Sequence, residues 1–362
     1  MKMDQVPWEA EPHTKAKHDL YRRYLDRWTP IMVQGFGGKA TYAEGFAGPG
    51  VYLDGSPGSP VIALRSLLDR PELKDKVRHF RLLFVDRDPR CCQMLAERLY
   101  LAAGNRTMAH LRQFGIDMEI ANGPCDPTLE ALLARKNAWG SPMLVVLDTW
   151  GGAVPLDLVR RVARNDSSEV IITIQPQYFA RFAETSDIAH GDRVFGDTRW
   201  REVASQPAQE KARWLLQHYR DTVKSAGFRF VLDFELIDRR GQALYLVFGT
   251  THPRGLQKMK EAMWEVDDTS GVGYRDPRDP DQQTLDIEME PQTAPLRRLL
   301  RDHLALQPGR QATVEDLRKF ALYATVFKES QVRPVVIDML GKGELVGCDQ
   351  RRVLHKSVVR LP

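Results

Sequence analysis

Residues 142–147 read Pro-Met-Leu-Val-Val-Leu, the clearest buried strand in the chain. A strand without a polar position has no face to give to water, so both of its faces must be covered. That requirement points to a sheet with helices on both sides. The rest of the chain supplies the parts. Strand-like runs at 41–46, 80–86, 118–121 and 170–174 alternate with helical patterns at 61–68, 94–100 and 129–136. A long helix is expected at 208–225 and another at 252–264. Between them, the β-rich runs 228–237 and 243–250 are joined by Asp238-Arg239-Arg240-Gly241-Gln242, which reads as a hairpin. The predicted fold is α/β, a Rossmann-like doubly wound sheet closed by an antiparallel pair.

Composition narrows the setting. The 362 residues are 43% hydrophobic and 28% charged, an ordinary soluble balance. No apolar run approaches the roughly eighteen residues of a membrane span, and the N-terminus has no signal-like apolar core, so a cytoplasmic protein is expected. The four cysteines form no CxxC pair, which argues against a zinc site or a disulfide framework. A net charge of +4 permits an anionic partner without requiring one.

An N-terminal helix is expected over 7–28, with Tyr21, Tyr24, Leu25 and Trp28 at helical spacing and Thr14 placed to cap it. It serves either to dock against the main domain or to present His13, Lys15, Lys17 and His18 as a basic lip. Farther on, Gly58-Ser59-Pro60 opens a helix, with Ser59 expected at the N-cap and Pro60 at the first helical position. Residues 267–295 are rich in Asp and Pro and read as a linker, with a short strand at 284–287. Beyond it, helices at 295–306, 313–324 and 331–340 precede a hairpin formed by 341–347 and 353–359. Three helices and a hairpin are the order of a winged helix-turn-helix domain. Its basic residues include Arg297, Arg298, Arg301, Arg318, Lys319, Arg333, Lys342, Arg351, Arg352, Lys356 and Arg360. The domains expected are therefore 1–266, a linker 267–295, and a winged helix over 296–362.

Three strand ends then face one rim of the sheet, where open α/β folds bind ligands. The first carries Glu44-Gly45-Phe46-Ala47 and the turn Gly48-Pro49-Gly50, the second Asp86, and the fourth Asp148-Thr149-Trp150-Gly151. This order resembles a class I S-adenosylmethionine-dependent methyltransferase. The resemblance implies that residues 44–50 approach the methionine end of S-adenosyl-L-methionine. It also implies that Asp86 takes the ribose hydroxyls, with Arg87, Asn122 and Asp126 on the same cofactor side. Asp148, Thr149 and Trp150 stand where such enzymes carry D-P-P-[YFW] and would be catalytic, although the prolines of that motif are missing.

A closer resemblance is to the three-Cys-motif partner family. It is carried by His13-Thr14-Lys15-Ala16-Lys17-His18, Tyr24-Leu25-Asp26-Arg27-Trp28, Phe46-Ala47-Gly48-Pro49-Gly50, Gly58-Ser59-Pro60 and the Gly-Thr-Thr-His-Pro-Arg-Gly-Leu run within 245–260. It implies a methyltransferase-type domain, a winged-helix end and a radical-type partner protein bearing three cysteines. Expected substrate contacts are His13, Lys17, Ser59, Gly151, Gln175 and Tyr178. Three functions fit: methyl transfer to a nucleotide or nucleic acid, with Trp150 stacking on a base; a non-catalytic nucleic-acid partner; or a hydrolase holding a metal between Glu44, Asp86 and Asp148.

Overall fold

A computed structural model describes residues 5–149, 151–183, 188–275 and 293–362. Trp150 and residues 276–292, including the strand expected at 284–287, lie outside the described residues. The chain divides into two units, Met1–Leu256 with Tyr274–Gln283 and Gln257–Gly273 with Thr284–Pro362.

The first unit begins with helix α1 (Pro12–Gly35), strand β1 (Lys39–Glu44), α2 (Ser59–Leu68) and β2 (His79–Asp86). There follow α3 (Pro89–Ala102), α4 (Met108–Arg112), β3 (Ile116–Asn122), α5 (Cys125–Arg135) and β4 (Met143–Leu147). Next come α6 (Leu156–Ala163), β5 (Ser168–Ile174), α7 (Pro176–Phe182), α8 (Ile188–Phe195), α9 (Lys211–Ser225), β6 (Phe230–Ile237) and β7 (Ala243–Thr250). Helix α10 (Pro253–Val266) and strand β8 (Gly273–Arg275) cross the division between the units.

The sheet order is β3-β2-β1-β4-β5-β7-β6-β8. Strands β1 to β5 pair in parallel, while β7 runs antiparallel to both β5 and β6. This is the doubly wound sheet with a closing hairpin that the strand pattern requires. Chain order reverses between β1 and β4, so a crevice opens beyond their carboxyl ends at the switch point. Alternate residues serve opposite faces. Ala43, Val145 and Leu147 join the core under α5, α6 and α9. Across the sheet, Trp28 and Tyr24 of α1 meet Phe80 and Phe248 edge-on, at 5.9 and 5.3 Å between ring centroids. Each aliphatic side chain fully buried this way contributes about 1.5–3 kcal/mol.

Two expectations about helix ends are corrected. Thr14 does not cap α1; Glu11 is its N-cap and Pro12 its first residue. The helix also runs past Trp28 to Gly35, with Pro30 inside it. A proline there has no N–H for the carbonyl four residues back. The Asp26 carbonyl receives an Arg70 guanidinium N–H instead, at 2.9 Å. Ser59 is not the N-cap of α2 either. That position is Gly58, whose neighbours Ser59 and Pro60 are the first helical residues, and the Ser59 hydroxyl is used elsewhere. Gly58 packs tightly: a Cβ there would lie 3.0 Å from the Gly50 backbone, which would have to shift slightly.

The second unit contains α11 (Ala294–Ala305), β9 (Gln311–Thr313), α12 (Val314–Ala324), α13 (Val332–Gly341) and β10 (Val358–Arg360). Thr313 caps α12, accepting the Asp316 N–H at 3.1 Å. The hairpin expected after α13 is reduced to one bridge, Val346 to Arg360. The ladder of β10 is made with β9, in register Val358 to Thr313. Lys260 is buried here, its ammonium within 3.3 Å of the carbonyls of Ala321, Leu322, Thr325 and Phe327. It thereby answers acceptors that the end of α12 leaves without helical partners.

Candidate functional site: a crevice at the switch point

Glu44 ends β1 two residues after Tyr42, so both side chains lie on the face covered by α1. The carboxyl group is buried, 1% exposed. It accepts from the Tyr42 hydroxyl at 2.7 Å and from the Ser59 hydroxyl at 2.8 Å. Burial pushes the Glu44 pKa up to about 8. The two hydroxyl donors and nearby Lys17 oppose that shift, and the neighbouring Asp148 charge adds to it. Near neutral pH Glu44 therefore carries its proton.

One strand over, Asp148 follows β4 and meets Lys17 of α1 at 2.5 Å, each side chain only 12% exposed. His18 stands beside Tyr52, with ring centroids 5.3 Å apart, and burial pushes its pKa down to about 3. The Tyr21 and Tyr52 phenols are pushed above their ordinary range by burial, then by the Asp148 and Glu44 charges. With Glu44 protonated, His18 neutral and both phenols neutral, the crevice holds one ion pair, Lys17 with Asp148.

The glycine turn lies toward β2. Gly48 and Gly50 have φ of +64° and +72°, a left-handed conformation that side chains disfavour. Asp86 fastens the turn. One of its carboxylate oxygens accepts the Gly48 N–H at 2.8 Å and the other the Asp88 N–H at 2.9 Å. Each oxygen retains a second acceptor site. Ala47 is buried, its N–H bonded to the Val85 carbonyl at 2.9 Å, and Phe46 packs against the core. Gly45 approaches Cys125 so closely that a Cβ would lie 2.4 Å from its sulfur. Asn122 donates to the Asp86 carbonyl at 3.0 Å. Arg87 and Asp126 are exposed.

Beyond Asp148, the Thr149 hydroxyl accepts the Gly151 and Ala153 N–H groups at 3.2 and 3.0 Å and so shapes the loop. Gly151, at φ +95°, accepts the Gln175 N–H at 2.9 Å, and His190 holds the Gly152 carbonyl at 2.8 Å. Tyr178 packs on Phe179 and Phe182. His13 lies in the first turn of α1.

The structure thus brings Glu44, Ser59, Lys17 and Asp148 into one crevice, and joins Asp86 and Asn122 to the glycine turn. It adds Tyr21, Tyr42 and Tyr52, which were not anticipated as site residues, and brings in His18 of the expected basic lip as a buried, neutral ring. Tyr21 was legible, because it lies one helical turn from Lys17 on the same face. Tyr52 had no such signal. Trp8 was missed as well; a Cβ on Gly48 would lie 3.4 Å from its ring. The three acids of the metal-hydrolase alternative are occupied by different donors. Among the described residues no group of three His, Cys, Asp or Glu is placed to hold a metal ion.

No family model matches this sequence. No curated protein matches it either. Among solved structures, Trm1 from Pyrococcus horikoshii in complex with S-adenosyl-L-methionine aligns at 10% identity with a TM-score of 0.34, over 68% of this chain and 58% of that one. The METTL16 methyltransferase domain aligns at 9% identity and 0.30, over 64% and 82%. A spermidine synthase bound to the transition-state analogue AdoDATO aligns at 9% identity and 0.33, over 80% and 75%. Likeness at these scores assigns no chemistry, which has to come from the crevice itself.

Proposed function

We propose that this chain is an S-adenosylmethionine-dependent methyltransferase, or a methyltransferase-like protein, acting on a nucleobase-containing substrate. The observation that carries this reading is the glycine turn fastened by Asp86 beside a crevice holding Glu44, Lys17 and Asp148 at the switch point. The residues fit the cofactor. A turn without side chains admits close backbone approach, and both Asp86 oxygens keep an acceptor site for ribose hydroxyls. When bound, the cofactor supplies an electrophilic methyl on a sulfonium sulfur.

Methyl transfer needs an aligned acceptor and a place for the proton it loses. Asp148 would supply that place, accepting a hydrogen bond from the acceptor's N–H or O–H and then its proton. Lys17 now occupies Asp148, so the acceptor has to share or displace that ammonium. Glu44, protonated and held by Tyr42 and Ser59, orients the floor of the crevice and does not compete as a base.

Calorimetric titration with S-adenosylmethionine and its demethylated product tests the proposal. Binding by the intact protein is expected, weakened more than tenfold in both Asp86→Ala and Gly48→Val; roughly 1–2 kcal/mol of backbone strain at a left-handed residue would suffice for the latter. No binding by the intact protein overturns the reading. The Lys17–Asp148 pair favours a second reading, in which the fold binds nucleic acid as a non-catalytic partner, in line with the radical-type protein that the three-Cys-motif resemblance implies. Labelled methyl appearing in nucleosides or oligonucleotides separates the first reading from the second.

A further inference from the structure

The eleven basic residues noted in the C-terminal sequence are not equivalent once folded. Arg297 is bound to Asp338 and Glu344, Lys342 to Asp338, and Lys319 lies 3.9 Å from Glu315. Those charges are answered locally. Arg333, at the start of α13, has only its Nε engaged, by the Val353 carbonyl at 3.0 Å, which leaves both terminal guanidinium nitrogens without a partner among the described residues. Arg351, Arg352 and Lys356, in the segment that supplies Val353, likewise have no acidic partner among the described residues.

Arg333 opens onto a cavity of about 180 Å³, lined also by Val314, Arg318, Glu329, Ser330 and His355. Two guanidiniums face one carboxylate in the lining, and a second carboxylate, Glu315, lies 3.6 Å from Arg318. The carboxylate is engaged, since Glu329 accepts from Gln257 at 2.6 Å and lies 3.3 Å from Arg318. Arg318 is also held by His355, which stands 3.0 Å from Glu315. Arg318 is thus fixed in place while Arg333 keeps a planar two-donor fork, the geometry that suits two oxygens of one phosphate. The Ser330 hydroxyl adds a further donor at the rim.

We propose that this cavity grips a backbone phosphate of a nucleic-acid strand, with Arg333 as the fork and Arg351, Arg352 and Lys356 carrying the adjacent phosphates. The proposal rests on the nucleic-acid part of the function proposed above and identifies which surface of the second unit makes the contact. It needs no cofactor, so its failure would leave the calorimetric result on S-adenosylmethionine untouched.

The test is fluorescence anisotropy of the full-length protein with a 20-base-pair duplex of DNA or RNA over a series of salt concentrations, and with inorganic phosphate as competitor. Wild type is expected to bind with an affinity that falls linearly on a log–log salt plot. Arg333→Ala should reduce the magnitude of that slope by about 0.9, the loss of one phosphate contact. Arg333→Lys, which keeps the charge and loses the fork, should restore the slope but not the affinity. Lys342→Ala should match wild type. Circular dichroism confirms that each variant folds. Equal slopes for wild type and Arg333→Ala, binding indifferent to salt, or capture of inorganic phosphate with no duplex bound would each overturn the proposal.

Discussion

Two glutamates are buried in the same sheet beneath the same helix, and they differ in what surrounds them. Glu169, at the start of β5, accepts from the hydroxyls of Tyr24 and Thr250, and Gly255 comes so near that a Cβ would lie 2.0 Å from its carboxylate. Burial pushes its pKa up to about 7. Glu44 sits at the opposite end of the strands with two hydroxyl donors of its own, and is raised further, to about 8. Around Glu169 the partners are neutral. Around Glu44 there is an ion pair, a glycine turn and a switch point. Helix α1 supplies both environments, Tyr24 to one and Lys17 with Tyr21 to the other. A raised carboxyl pKa therefore does not by itself mark a functional site; the neighbouring charge and the opening between strands do.

The largest expected effect concerns the pair that only the Glu44 end possesses. Lys17→Met should leave Asp148, only 12% exposed, without its cation, which costs about 3–5 kcal/mol when one partner of a buried pair is removed. Urea denaturation measures it, and adding Asp148→Asn should recover most of the loss. A single variant as stable as wild type would mean that the pair contributes little and that the two ends of the sheet are alike. The next effect is on binding. Glu44→Gln should weaken S-adenosylmethionine about tenfold or more by calorimetry, the equivalent of roughly 1.4 kcal/mol, whereas Glu169→Gln should leave the affinity within about twofold. Equal losses in both would erase the functional distinction between them.

Only the Glu44 side of this contrast is legible in the sequence. In the sequence β4 is wholly apolar, β2 and β5 contain apolar runs, and β1 leads into the glycine turn, so the rim acids follow from where those strands stop. The hidden parts have physical reasons. Helices α4, α6, α7 and α8 have five to eight residues, too few turns for a periodic pattern to stand out. The helical spacing of α1 in the sequence ends at Trp28, and the Arg70 donor that lets the helix continue past Pro30 lies 44 residues from Asp26. Ser59 looked like a cap because serine before proline usually is one; its bond to Glu44 spans 15 residues that local chemistry does not reveal. Tyr52 came to the crevice through a loop whose shape depends on tertiary contacts, the Leu53 N–H reaching the Trp8 carbonyl at 2.9 Å.

The smallest effect is the most direct test of the contrast, because it reads both carboxyl groups in one measurement. Each has a folded pKa above the ordinary 4.5, so between that value and its own pKa the folded protein holds a proton that the unfolded chain has released. The stability linked to that proton is complete below about pH 4.5 and lost as pH rises, through about 7 for Glu169 and about 8 for Glu44. Melting temperature recorded from pH 5 to 9 should decline in wild type and level off once pH passes about 8. Glu169→Gln should flatten the lower part and Glu44→Gln the part that extends to about 8. Neither change should exceed a few degrees, since the unfolding entropy of a chain this long divides any such free energy heavily. A profile identical in both variants would mean that the two sites exchange protons alike, and would leave the ion pair, the glycine turn and the switch point to distinguish the Glu44 end from the Glu169 end.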